Sequence, residues 1–216
     1  DVTLDLESLQ LTAATPSGNW TTRPSFDGDL KLGDAAGREV GSFRLSSAPR
    51  KSAGPYRTGA LTGIKVSLAG FRDAAGPDVE ARIDLFIGLE GKDEDLVCRI
   101  LAEDGDARVR ELLWPASFEP GAFESAVVPF MQGTWLPKDW PRAVRLYDSM
   151  SYGRGLYMPW WGFERRDAAV LILLETPDDA GCRFDHPAGG PTSIDVRWVH
   201  SLGRWSYPRV VRFAFL

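Results

Sequence analysis

The sequence has 216 residues, of which 44% are hydrophobic, including 8 Trp and 11 Phe, enough for one large domain with a sizeable core. Its 25 basic and 30 acidic residues give a net charge of −5 with no charged runs, which excludes the basic stripe that a nucleic-acid surface needs. No stretch of about 18 apolar residues occurs, which excludes a membrane-spanning helix.

The chain opens on Asp1-Val-Thr-Leu, without the charged and apolar regions of a signal peptide. From Val2 to Thr12 the apolar residues alternate: Val2, Leu4 and Leu6 share a face, and Leu9 and Leu11 resume after a slip. Asn19-Trp-Thr21 matches a glycosylation acceptor; in a composition of bacterial type, rich in Ala, Arg, Asp and Gly, the match is taken as chance. Further alternating runs follow at 64–69, 81–87, 96–101 and 107–114, and late ones at 168–175, 193–200 and 209–216. Gly-rich polar turns separate them, among them Asp27-Gly-Asp, Asp34-Ala-Ala-Gly, Asp104-Gly-Asp and Pro187-Ala-Gly-Gly-Pro191. Short strands at this spacing predict an all-β, large antiparallel sandwich. One helical turn is expected, at 122–126, with Pro129 ending it. No repeat of 33 to 45 residues is visible, which disfavours propellers and solenoids.

Between Trp114 and Gly162 the character changes. Trp114-Pro, Pro129, Leu136-Pro, Trp140-Pro and Met158-Pro interrupt the alternation, and proline removes a ladder donor. This predicts a set of long loops, where binding surfaces usually sit. The most concentrated feature is Gly153-Arg-Gly-Leu-Tyr-Met-Pro-Trp-Trp-Gly162, with Tyr157, Trp160 and Trp161 set among glycines and a proline. Adjacent tryptophans on a strand face opposite sides, so one enters the core and the other faces a partner or a ligand. At the far end, Val210-Val-Arg-Phe-Ala-Phe-Leu216 is strand-like to its last residue, as expected for a cut at a domain boundary.

The succession Leu113-Trp-Pro-Ala-Ser-Phe118, Val127-Val-Pro-Phe-Met-Gln-Gly-Thr-Trp-Leu-Pro137, Tyr157-Met-Pro-Trp-Trp-Gly-Phe163 and Leu173-Leu-Glu-Thr-Pro-Asp-Asp-Ala180 resembles the N-terminal domain of bacterial glycoside hydrolases of the α-N-acetylgalactosaminidase type (glycoside hydrolase families 101 and 129) and their relatives. The resemblance covers about half the chain. It implies a supersandwich, galactose-mutarotase-like, that packs on a (β/α)8 barrel carrying the catalytic carboxylates. Such a barrel takes about 250 residues of alternating strands and helices, and none are present in this sequence. The expectation is therefore a single β-sandwich domain over 1–216, the non-catalytic N-terminal module of a longer enzyme. Its partner is the barrel of the same polypeptide, whose substrate cleft it helps to shape. An independent carbohydrate-binding module and an aldose epimerase-like enzyme remain as alternatives.

The candidate ligand or barrel-interface residues are Trp135, Arg154, Tyr157, Met158, Trp160 and Trp161. No catalytic residue and no cofactor is assigned. Glu175, Asp178 and Asp179 cluster, and Asp148 and Glu164 flank the aromatic loop, but the two aspartates follow Pro177 in a turn and are read as backbone-bonding turn residues. His186 and His200 are the two histidines; they lack the close ligand spacing of a zinc site. An epimerase would need one of them paired with a glutamate. Cys98 and Cys182 are read as separate free thiols.

Overall fold

The computed structural model describes residues 1–72, 78–92, 95–105, 107–130, 133–149, 156–200 and 204–216. Its strands in chain order are β1 (Val2–Leu4), β2 (Leu11–Thr15), β3 (Gly18–Thr21), β4 (Leu30–Gly33), β5 (Glu39–Phe43), β6 (Arg50–Thr58), β7 (Leu61–Arg72), β8 (Asp78–Glu90) and β9 (Asp95–Asp104). They continue as β10 (Arg108–Leu112), β11 (Ser125–Val128), β12 (Thr134–Pro137), β13 (Val144–Ser149), β14 (Trp160–Arg165), β15 (Ala168–Leu174), β16 (Ala180–His186), β17 (Ser193–Val199) and β18 (Arg209–Phe215). The fold is all-β, as the alternation predicts.

The strands form a nine-stranded sheet in the order β12-β11-β14-β15-β18-β9-β8-β7-β6, a six-stranded sheet in the order β13-β16-β17-β10-β4-β5, and a three-stranded sheet β1-β2-β3. Neighbouring strands pair antiparallel throughout. The alternating residues explain the layering. Val66, Leu85, Cys98, Ile100, Val211, Phe213, Ile172 and Trp161 of the large sheet are buried in one core with Leu30, Val109, Cys182, Val196 and Trp198 of the six-stranded sheet. The small sheet adds Leu11, Ala13 and Trp20 to it. Trp20 meets Phe118 edge-on at 5.5 Å, and the Arg165 guanidinium covers its ring at 4.3 Å, a cation over an aromatic face. Cys98 and Cys182 are both buried and form no disulfide, one in each large sheet.

Three local expectations are corrected. The slip inside Val2–Thr12 is a turn: Leu9 adopts φ 55°, and β1 folds back on β2 with Val2 opposite Ala13. The helical turn expected at 122–126 falls at Pro120–Ala122 as a 3-10 turn, and Ser125 already begins β11. Most consequentially, the proline-rich segment supplies β11, β12, β13 and β14, and β11 and β14 lie inside the large sheet. Its prolines sit where no ladder bond is lost: Pro129 follows β11, Pro137 ends the edge strand β12, and Pro159 precedes β14.

Candidate functional site

The expected aromatic residues gather on β14 and its neighbours. Trp160 and Trp161 open β14 rather than lying in a loop, and the strand pleat separates them. Trp161 is 1% exposed and belongs to the core, where it pairs across to Ile172. Its indole N–H meets no acceptor among the described residues. Trp160 is half-buried on the outward face, opposite Leu173. Of the pair, Trp161 thus presents no surface, and Trp160 is the one available to a partner.

Beside Trp160, the segment before β14 is tied down by the Tyr157 amide donating to the Pro129 carbonyl at 2.9 Å and by a bridge between Leu156 and Phe130. This leaves Tyr157 65% and Met158 49% exposed. Arg154 lies outside the described residues.

Trp135 stands on the edge strand β12, opposite Val127 of β11, which in turn faces Gly162 of β14. It is 61% exposed, yet its indole N–H donates to Glu164 Oε1 at 2.6 Å. The Ser125 hydroxyl donates to the same oxygen at 2.5 Å. The Ser125 hydroxyl first, and then the indole N–H, hold the Glu164 carboxyl below the usual carboxylate range. The sequence does not signal this triad, because its members lie on three strands brought together only by the sheet register.

Two of the other acidic candidates, Glu175 and Asp179, are engaged in ion pairs. Glu175 accepts from Arg212 at 2.5 Å, within a group that also joins Arg212 to Glu90 and Asp95. Asp179 sits in a 3-10 turn, Pro177–Asp179. Its carboxylate does not bond its own backbone; it accepts from Arg209 at 2.5 Å and from the Tyr207 hydroxyl at 2.9 Å. Arg209 is fully buried between the Trp205 and Tyr207 rings, at 4.7 and 3.8 Å. Asp178 is exposed, and Asp148 belongs to β13 opposite Cys182.

The two histidines differ in setting. His186 is fully buried, with Nδ1 at 2.8 Å from the Thr192 hydroxyl and Nε2 at 2.8 Å from the Trp140 carbonyl, so both ring nitrogens are occupied. His200 is half-buried at the end of β17. Among the described residues no group of three or more His, Cys, Asp or Glu side chains could hold a metal ion, and no helix is long and apolar enough to cross a membrane.

A hollow of about 590 Å3 on the outward side of β6 to β9 is lined by Arg50, Ser52, Ser67, Arg82 and Glu103. It has no aromatic wall. Beside it, Asp84 is 3% exposed and is neutralised by Lys65 at 2.8 Å and Arg82 at 3.1 Å.

No protein-family model matches the sequence, and no curated protein matches it. Solved structures do. The α-N-acetylgalactosaminidase NagBb from Bifidobacterium bifidum in complex with GalNAc matches 100% of this chain at 29% identity and a TM-score of 0.82. The same enzyme with Gal-NHAc-DNJ matches at 30% identity and 0.82, and its ligand-free form at 28% and 0.80. In each case the match covers 34% of that chain. This chain is thus similar, over its whole length, to about one third of a larger glycoside hydrolase.

Proposed function

We propose that residues 1–216 are one β-sandwich domain, of the supersandwich, galactose-mutarotase-like type, serving as the non-catalytic N-terminal module of a bacterial glycoside hydrolase. The module packs on a catalytic (β/α)8 barrel of the same polypeptide and forms one wall of the substrate cleft. The observation that carries this reading is full-length similarity to a third of a glycosidase chain. Two features of the chain support the division of labour. Glu164, Glu175 and Asp179 are engaged in ion pairs and hydrogen bonds, and Tyr157 and Met158 are exposed next to the half-buried Trp160. Isolated exposed apolar residues are ordinary, whereas grouped ones mark contact surfaces.

The reading is tested on the purified chain with an aryl α-N-acetylgalactosaminide, for which no turnover is expected. Hydrolysis abolished by Glu164→Gln or Glu175→Gln would overturn it. A second arm mixes the chain with the polypeptide encoded directly downstream: a stable complex is expected, and the double variant Tyr157→Ser, Met158→Ser should weaken it. A double variant that docks as tightly as the parent chain removes these residues from the interface.

A further inference from the structure

We propose that the outward face of Trp135 is a carbohydrate-contact subsite that takes one neutral pyranose ring, with Glu164 as the hydrogen-bond acceptor at its edge. The proposal rests on the reading of the chain as part of a carbohydrate-active enzyme, and assigns the residues of its cleft wall.

The geometry of the indole carries the inference. Trp135 and Glu164 lie on β12 and β14, with β11 between them. Adjacent strands are about 4.8 Å apart, so the indole must lean across β11 to place its N–H 2.6 Å from Glu164 Oε1. Ser125 confirms what it leans over. Ser125 is on the solvent side of β11, since its neighbour Ala126 is in the core, yet it is only 2% exposed. The indole thus reaches across the outward side of β11 to Glu164 while Trp135 stays 61% exposed.

Such a ring is already held where a ligand would need it. An exposed tryptophan that must be immobilised on binding forfeits rotamer freedom; this one is fixed beforehand by its hydrogen bond. A pyranose presents C–H groups on its faces and hydroxyls around its rim. The C–H face suits the electron-rich indole face, and a rim hydroxyl can donate to Glu164 Oε2, on which the described residues place no donor. The carboxylate also selects. It repels an acidic sugar, and a protein surface covering it would have to supply a cation or leave a buried charge unpaired. A neutral sugar needs neither.

The test follows the indole N–H signals of the 216-residue chain by NMR, titrated with galactose, N-acetylgalactosamine and glucuronate. The Trp135 signal, identified by its loss in Trp135→Ala, is expected to shift with saturation in the millimolar range for the two neutral sugars and to stay still with glucuronate. Glu164→Ala should weaken binding about tenfold, the scale of one charge-assisted hydrogen bond, while the backbone amide spectrum is retained away from β11, β12 and β14. No shift of Trp135 up to the solubility limit of either neutral sugar overturns the proposal, as does an equal response to glucuronate. Failure here leaves the docking experiment with Tyr157 and Met158 untouched, so the two readings fail separately.

Discussion

The two faces of β14 use the same strand for opposite purposes. Inward, Trp161 and Phe163 are both 1% exposed, and Phe163 lies 4.4 Å from Phe123 and 5.8 Å from Phe118 between ring centres. Outward, Trp160 is half-buried and Glu164 spends its carboxylate on Ser125 and Trp135. Strand β18 repeats the contrast with arginines: Arg209 points into the core and is fully buried, whereas Arg212 points out and keeps 21% of its side chain in water. On β14 the inward rings are held by aromatic packing, whereas on β18 the inward arginine is held by one buried carboxylate and two rings and the outward one by three partly exposed carboxylates. Identical residue types, one or three positions apart, therefore carry different energetic weight.

The sharpest way to break this comparison is to shorten the tryptophans one at a time. Trp161→Ala should cost about 3–5 kcal/mol, as other large-to-small core changes do, read as a lower urea midpoint. Trp160→Ala should cost less than about 1 kcal/mol, the range of surface changes. Equal losses would mean that both rings are core, and the outward face of β14 would have no claim to a partner.

The arginines give the next test. Arg209→Met leaves Asp179 buried beside a dead end and should cost about 3–5 kcal/mol, with much of the loss recovered in the Arg209→Met, Asp179→Leu double variant. Arg212→Met, among carboxylates that keep 22–32% of their side chains exposed, should cost only about 1 kcal/mol, because solvent screens the pairs. A larger effect at Arg212 than at Arg209 would invert the comparison.

A third test uses pH. Burial, opposed by hydrogen bonds from the Ser25 hydroxyl and the Leu45 and Phe26 amides, pushes Asp29 up to about 6. With its folded value above the unfolded 3.8, the folded state binds the proton more tightly. The stabilisation is complete below the unfolded value and is lost as pH rises through about 6. Stability measured from pH 4 to 7 should therefore fall by this contribution in the parent chain, and Asp29→Asn should flatten the slope at this site. The smallest expected effect is at Glu164→Ala, which removes the acceptor: the thermal midpoint should barely move, while time-resolved tryptophan anisotropy shows a freer Trp135. An unchanged anisotropy would mean that packing alone holds the ring.

Much of this architecture is visible in the residues themselves. Period-two alternation marks β7, β8, β9, β15, β17 and β18, because each buries one face against the opposite sheet. It also implies that only one of Trp160 and Trp161 enters the core. The segment from Trp114 to Gly162 is less legible because proline content reports the absence of a donor, not the position of the strand end where that absence is harmless. The turn at Pro177 was foreseeable, but the use of Asp179 to neutralise Arg209, thirty residues on, is a tertiary choice. The Ser125, Trp135 and Glu164 group is hidden for the same reason: only register brings it together.

The position of β18 has a consequence for how the molecule is made. In the large sheet it lies between β15 and β9, which do not pair with each other. It is also the last strand of this sequence to be synthesised. Until Arg209–Phe215 emerge, the meander β6 to β9 and the later strands β11, β12, β14 and β15 are two half-sheets, each with a raw edge of unpaired amides and carbonyls. Translation at about 5–20 residues per second leaves those edges waiting for seconds. A nascent chain of this kind is a natural client for a holding chaperone, and a stop codon just before Arg209 should yield inclusion bodies rather than a slightly smaller domain.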